Sequence, residues 1–112
     1  MKLMISAQNS TLESPVDSRF GRSPWLILVD TESNQWKAFQ NPGASQSGGA
    51  GVAAAQFVVD QNAEVVISGD FGPNAARAFQ TAKIDMRLFP KQVLSVQEAV
   101  DLYKSNNLSK FD

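Results

Sequence analysis

The stretch Ser45-Gln46-Ser47-Gly48-Gly49-Ala50-Gly51, running directly into the apolar segment Val52 to Val59, decides how this chain is read. Glycine has no Cβ and accepts φ > 0, so Gly48, Gly49 and Gly51 allow a sharp turn into a helix and a close approach to another group. A helix starting there presents unpaired N–H groups and roughly half a positive charge at its first turn. Such an end suits an anion. A second stretch of the same kind, Ser68-Gly69-Asp70-Phe71-Gly72-Pro73, leaves the apolar run Val65-Val66-Ile67 and enters another helix at Pro73, a preferred first helical residue. Strands that pass through glycine turns into helices place the chain in the α/β class.

Working outward, Lys2 to Ala7 reads as a buried first strand, followed by a long loop. Trp25 to Val29 is continuously apolar, as in a strand covered on both faces, and the polar turn Thr31 to Asn34 leads into a third strand, Trp36 to Phe39, with Trp25 and Trp36 read as packing residues. So short a link makes strands two and three antiparallel. Val52 to Gln61 is apolar on nearly every side except Gln56 and Asp60, as a helix packed on a sheet would be. After Pro73, the residues Ala75, Ala78, Phe79 and Ala82 form a helical stripe. Ile84, Met86 and Leu88 alternate with Asp85 and Arg87, the pattern of a half-exposed strand near the sheet edge. Ser95 and Glu98 form a capping box with Leu94 placed to staple onto Ala99, and Val96, Ala99, Val100 and Tyr103 make the buried stripe of the last helix. Residues 106–112 are polar and expected to fray. The expected order is β-β-β-α-β-α-β-α, a five-stranded mixed sheet with helices on both faces.

If the first three strands meander and each later helix makes a right-handed crossover, strands one, three, four and five run one way and strand two the other. The loops 17–24, 40–51 and 68–72 and the turn Phe89-Pro90-Lys91 then share one edge of the sheet. In open α/β sheets ligands bind at that edge.

At 112 residues the chain is a single domain, residues 1–112, with an ordinary globular composition of 43% hydrophobic and 19% charged residues. A net charge of −1 argues against a general nucleic-acid binder. No cysteine and no histidine means no thiolate nucleophile, no thiolate metal site and no imidazole ligand or base, which removes most catalytic constellations. No run of about 18 apolar residues spans a membrane and no signal peptide is evident, so the expected location is the cytoplasm.

Three motif blocks, Pro15-Val16-Asp17-Ser18-Arg19-Phe20-Gly21-Arg22-Ser23-Pro24, Gly49-Ala50-Gly51, and Val66-Ile67-Ser68-Gly69 with Gly72-Pro73-Asn74-Ala75, together resemble the dinitrogenase iron-molybdenum cofactor biosynthesis family, also called nitrogenase accessory factor-like. The likeness runs over residues 1 to about 105. It implies a ribonuclease H-like α/β fold and a small non-enzymatic protein that binds or carries a metal-sulfur cluster. Members include carriers of iron-molybdenum cofactor and orange proteins holding a molybdenum-copper sulfide cluster without covalent attachment. Many members place histidine or cysteine in the loop before the first helix, where this chain has Ser45, Gln46 and Ser47. A sulfide-faced cluster is itself an anion, and backbone N–H groups and arginines can hold it without a ligand bond.

The candidate site contains no catalytic residue and no protein metal ligand. Arg19 and Arg22 would supply planar cationic donors; otherwise Arg19 pairs with Asp17 or a helix end and Arg22 is solvated. Ser47, Gly48, Gly49, Ala50 and Gly51 would cradle the ligand at the first helix, and Gly69, Asp70, Phe71 and Gly72 at the second, with Asp70 read foremost as a cap on that helix. Gly21 lies between Phe20 and Arg22. Phe20 and Phe71 form an apolar rim or simply core. The expected cofactor is a non-covalent molybdenum-copper or iron-molybdenum sulfide cluster, with cluster donor or acceptor proteins as partners and neither nucleic acid nor membrane. A nuclease on this scaffold needs converging carboxylates, one of them on the first strand, and Leu3 to Ala7 has none. The alternative is a nucleotide- or phosphate-binding regulatory module, although Gly49-Ala50-Gly51 lacks the dinucleotide fingerprint and the P-loop lysine.

Overall fold

The computed structural model describes residues 1–92 and 94–111. Along the chain these form β1 (Lys2–Ala7), β2 (Trp25–Asp30), β3 (Trp36–Gln40), a single 3-10 turn at Pro42–Ser45, α1 (Ala50–Asp60), β4 (Val65–Ser68), α2 (Pro73–Ala82), β5 (Asp85–Leu88), α3 (Val96–Lys104) and β6 (Ser109–Lys110). They build one sheet in the order β3-β2-β1-β4-β5-β6. The first three strands are an antiparallel meander, with Ile5 opposite Ile27 and Ile27 opposite Ala38. β4 runs parallel to β1, with Ile5 beside Ile67, and β5 parallel to β4. Strands one, three, four and five therefore share a direction, as the sequence implies.

Side chains alternate across a strand, so an all-apolar strand feeds two cores. On one face Leu3, Ile5, Ile27, Val65 and Ile67 pack with Val96, Ala99 and Val100 of α3. On the other, Met4, Leu26 and Val66 pack with Ala54, Ala55 and Val58 of α1 and Ala75, Ala76 and Phe79 of α2. Helices thus cover both faces, and Met4 and Met86 are core residues. α3 begins with the complete capping box, Glu98 N–H donating to Ser95 Oγ at 3.1 Å and Ser95 N–H to Glu98 Oε1 at 2.9 Å.

Two expectations need correction. Among the described residues the sheet has six strands, not five, because the tail through Phe111 does not fray: β6 pairs antiparallel with β5, Arg87 opposite Lys110 and Leu88 opposite Ser109. Leu108, 5% exposed, and Phe111, which packs against the α1/α2 core, anchor it. Two apolar residues in so polar a segment carry little periodicity, yet they suffice to dock it. Asp112, the end of that tail, lies outside the described residues, as does Val93. The second correction is Trp36, read as a packing residue, which is 42% exposed on the outermost strand. No helix among the described residues is long and apolar enough to cross a membrane.

Candidate functional site

The parallel strands β1 and β4 end side by side, and the loops that leave them form one edge of the molecule. At their last turns Ser6 and Ser68, both fully buried, join hydroxyls at 2.7 Å, while Ser6 Oγ also lies 2.6 Å from the Asp17 carbonyl. A Ser6 proton given to that carbonyl leaves Ser68 to supply the proton between the hydroxyls. Asp17 N–H donates back to the Ser6 carbonyl at 3.0 Å, so the loop after β1 is stitched onto the strand end.

Beyond it the chain turns tightly, Arg22 and Ser23 N–H groups both donating to the Arg19 carbonyl at 3.1 and 2.8 Å. Asp17 is 4% exposed and accepts three bonds from Arg19: the backbone N–H at 2.9 Å, Nε at 3.1 Å and Nη2 at 2.9 Å. Burial pushes the Asp17 carboxyl up, but the Arg19 side-chain and backbone hydrogen bonds and its charge outweigh this and hold it below the usual carboxylate value. The side-chain hydrogen bond to Asp17 and the carboxylate's charge raise the Arg19 guanidinium. A carboxyl depressed in the folded state stabilises the fold above its unfolded pKa of about 3.9, and that contribution is lost as pH falls through the folded value. Asp17→Asn is therefore expected to lower stability by about 1–3 kcal/mol at pH 7, with the gap to the parent closing as the parent's own carboxyl protonates below about pH 4. Urea unfolding along a pH series measures this; a gap independent of pH would rule out the ion pair as its source.

Arg19 thus takes the pairing with Asp17, yet its side chain stays 65% exposed at the mouth of the edge. Arg22 is exposed and donates through Nη1 to the Gln46 carbonyl, tying its loop to the segment before α1. The buried Asn41 reinforces this joint, its Nδ2 donating to the Phe20 carbonyl at 3.0 Å and Ser23 Oγ at 3.1 Å while its Oδ1 accepts from Gly43 N–H at 2.9 Å.

Neither α1 nor α2 has a side-chain cap: Gly49, in the left-handed region at φ 72°, precedes α1, and Gly72 precedes α2. The first turns meet, since a Cβ on Gly51 would lie 3.6 Å from Ala75 Cβ and one on Gly21 would lie 3.1 Å from Gly51 N and Cα. Two uncapped helix starts and the Arg19–Arg22 turn are in this way packed together. Asp70 does not cap α2; its Oδ1 accepts from Phe71 N–H at 2.9 Å, and a short parallel bridge joins Arg19 to Asp70.

The open space lies to one side of this junction. A cleft of ≈ 1050 Å³ runs between residues 15–22, 69–70 with Gly72, and the segment after β5, with Phe89, Pro90, Lys91, Gln92 and Leu94 on its far wall. Of the sequence candidates, Arg19, Phe20, Gly21, Arg22, Gly69, Asp70 and Gly72 border it. Ser47, Gly48, Gly49, Ala50 and Gly51 lie outside it, with Gly48 and Gly49 facing open space. Phe20 and Phe71 are 2% and 4% exposed, and their rings belong to the α1/α2 core. Beyond Lys91 and the turn around it, the far wall and Gln8 escape sequence reasoning, because nothing in those residue types marks a site. Among the described residues no group of three or more His, Cys, Asp or Glu side chains could hold a metal ion.

Fold and edge together define a small mixed α/β domain whose strand ends open into a polar, cation-bearing cleft. The chain belongs to the dinitrogenase iron-molybdenum cofactor family, whose sequence model matches residues 1–106. Among solved structures, the apo form of the orange protein from Desulfovibrio gigas superposes with a TM-score of 0.91 at 28% identity, over 98% of this chain and 92% of that one. A NifB-like protein of the DUF35 family from Thermotoga gives a TM-score of 0.83 at 28% identity, over 97% and 91%. An uncharacterised protein of Methanocaldococcus jannaschii is 25% identical over 115 residues, covering 100% of this chain and 92% of its own. The family and the orange protein together point to a role connected with a metal cluster.

Proposed function

We propose that this protein is a non-enzymatic carrier for an anionic metal-sulfur cluster of molybdenum with copper or iron, held without covalent attachment on a ribonuclease H-like sheet. The observation that carries this reading is the packing of two uncapped helix starts against the Arg19–Arg22 turn, on an edge without a cluster of protein ligands among the described residues. Sulfide-faced clusters have their metal valences filled, so what they require from a protein is N–H donors and positive charge. Arg22 would contribute the more adaptable cation, since its guanidinium donates to a neutral carbonyl, whereas the Arg19 fork is engaged by Asp17. Gly48, Gly49 and Gly72, where an added Cβ would meet nothing within 4 Å, would let the cluster approach the backbone, and the cleft would give it a path in and out. Transfer would then require a donor and an acceptor protein in the cytoplasm.

Anaerobic incubation with tetrathiomolybdate, alone and with copper or iron sulfide, followed by desalting and elemental analysis, tests the proposal. Charge-transfer bands and near-stoichiometric molybdenum should survive desalting. Arg22→Ala is expected to weaken retention about tenfold, the size of one charge-assisted hydrogen bond, while leaving thermal stability near that of the parent. A protein that stays colourless and metal-free, and is stabilised instead by nucleotides, would replace the carrier with a nucleotide-binding module.

A further inference from the structure

The C-terminal strand reaches the candidate site from behind. β6 is only two residues long, and the tail is fastened to β5 in three ways: by its pairing to Arg87 and Leu88, by Arg87 Nη1 donating to the Leu108 carbonyl at 3.1 Å, and by Phe111 N–H donating to the Met86 carbonyl at 3.0 Å. This fastening lays the Phe111 ring edge-on against Phe71, with centroids 5.3 Å apart and planes at 69°. Phe71 in turn meets Phe20 at 5.5 Å, and both meet Phe79. Each of the two middle rings is anchored between residues that border the cleft: Phe20 between Arg19 and Gly21, Phe71 between Asp70 and Gly72. Neither ring is free to shift without moving its loop, because interiors packed this closely transmit displacement. Phe111 itself does not border the cleft, and it lies beyond residues 1–106, the part matched by the family.

We infer that Phe111 is a positioning residue for the site: through Phe71 and then Phe20 it fixes the two loops, 19–22 and 69–72, whose backbone and arginines face the cleft. The ring row is a mechanical link between the chain's last strand and its ligand edge. A partner that peeled β6 from β5 would loosen that edge without touching it. The effect on ordering of the loops stands on the contacts alone; the effect on cargo rests on the cluster-carrier reading.

The test uses the full chain and the variants Phe111→Ser and Phe111→Tyr. Amide hydrogen exchange at residues 19–22 and 70–72 should quicken about fivefold in Phe111→Ser, the loss of one edge-to-face aromatic pair, with exchange in β1 and β2 unchanged. Tetrathiomolybdate affinity should fall by a similar factor, and Phe111→Tyr, which keeps the ring, should restore both. Unchanged exchange in the two loops would overturn the inference. So would faster exchange spread evenly through the sheet, which would make Phe111 ordinary core, and so would loosened loops with undiminished tetrathiomolybdate affinity. If the parent protein retains no tetrathiomolybdate, the carrier reading fails, and the exchange measurement still decides whether Phe111 orders the loops.

Discussion

Gly43→Ala should lower stability by about 2–3 kcal/mol, the cost of forcing one extra carbon into a closed backbone junction. Gly43 is buried where the 3-10 turn at Pro42–Ser45 passes between the start of α1 and the Arg19–Arg22 turn. A Cβ there would lie 2.6 Å from the Gly21 carbonyl oxygen and nearer still to that of Ala50. Both obstacles are backbone, so no side-chain rotation relieves them; one loop must move. Either movement strains the Asn41 clasp, in which Gly43 N–H and the Phe20 carbonyl are held by the same amide side chain. Urea unfolding should show a lower midpoint with an unchanged slope. A loss below about 0.5 kcal/mol, within the range of ordinary surface changes, would mean that the junction is looser than the structure draws it.

Phe79→Ala should cost more, about 3–5 kcal/mol, as expected for a large aromatic removed from a core. Phe79 is completely buried on α2, T-shaped to Phe20 at 5.3 Å and to Phe71 at 6.0 Å. Its removal leaves a void under both loops of the site at once, against a total stability of about 5–15 kcal/mol for a domain. Thermal unfolding should therefore fall steeply, and any cluster retention with it. A cost under about 1.5 kcal/mol would signal that Phe111 or Leu88 refills the space, because collapse of the cavity is what reduces such penalties.

The framework was legible because its signals are local and redundant. The run Val65-Val66-Ile67 is apolar on both faces, Pro73 marks a helix start, and Ser95 with Glu98 closes a capping box, so strand, helix and cap are each written in a few adjacent residues. α1 begins two residues before the apolar segment at Val52, since Gly49 in the left-handed conformation starts the helix ahead of its hydrophobic stripe. β6 was illegible because its partner, β5, is distant in sequence and its own two residues are polar. At the site, the joining of the Arg19–Arg22 turn to the two helix starts follows from topology, which the sequence order allows one to derive. The fate of individual side chains does not. Asp70 sits where a cap is expected but turns its carboxylate to the neighbouring Phe71 N–H, and whether Phe20 faces solvent or core depends on Phe71 and Phe79, 51 and 59 residues away. The part of the cleft wall formed by Gln92 and Leu94 is of the same kind, a surface made by where a turn comes to rest.

The central position of β1 also sets a timetable for the chain as it is made. Its meander partners are complete once Gln40 has been added, but its other neighbour, β4, ends at Ser68, 28 residues later. At about 5–20 residues per second, synthesis leaves roughly one to six seconds in which β1 has one side unpaired. Throughout that interval Leu3, Met4 and Ile5, all destined to be fully buried, stand beside a row of unsatisfied backbone groups. The newborn protein is therefore most exposed to wrong partners just before its fourth strand appears, and the arrival of Val65 to Ser68 ends that exposure.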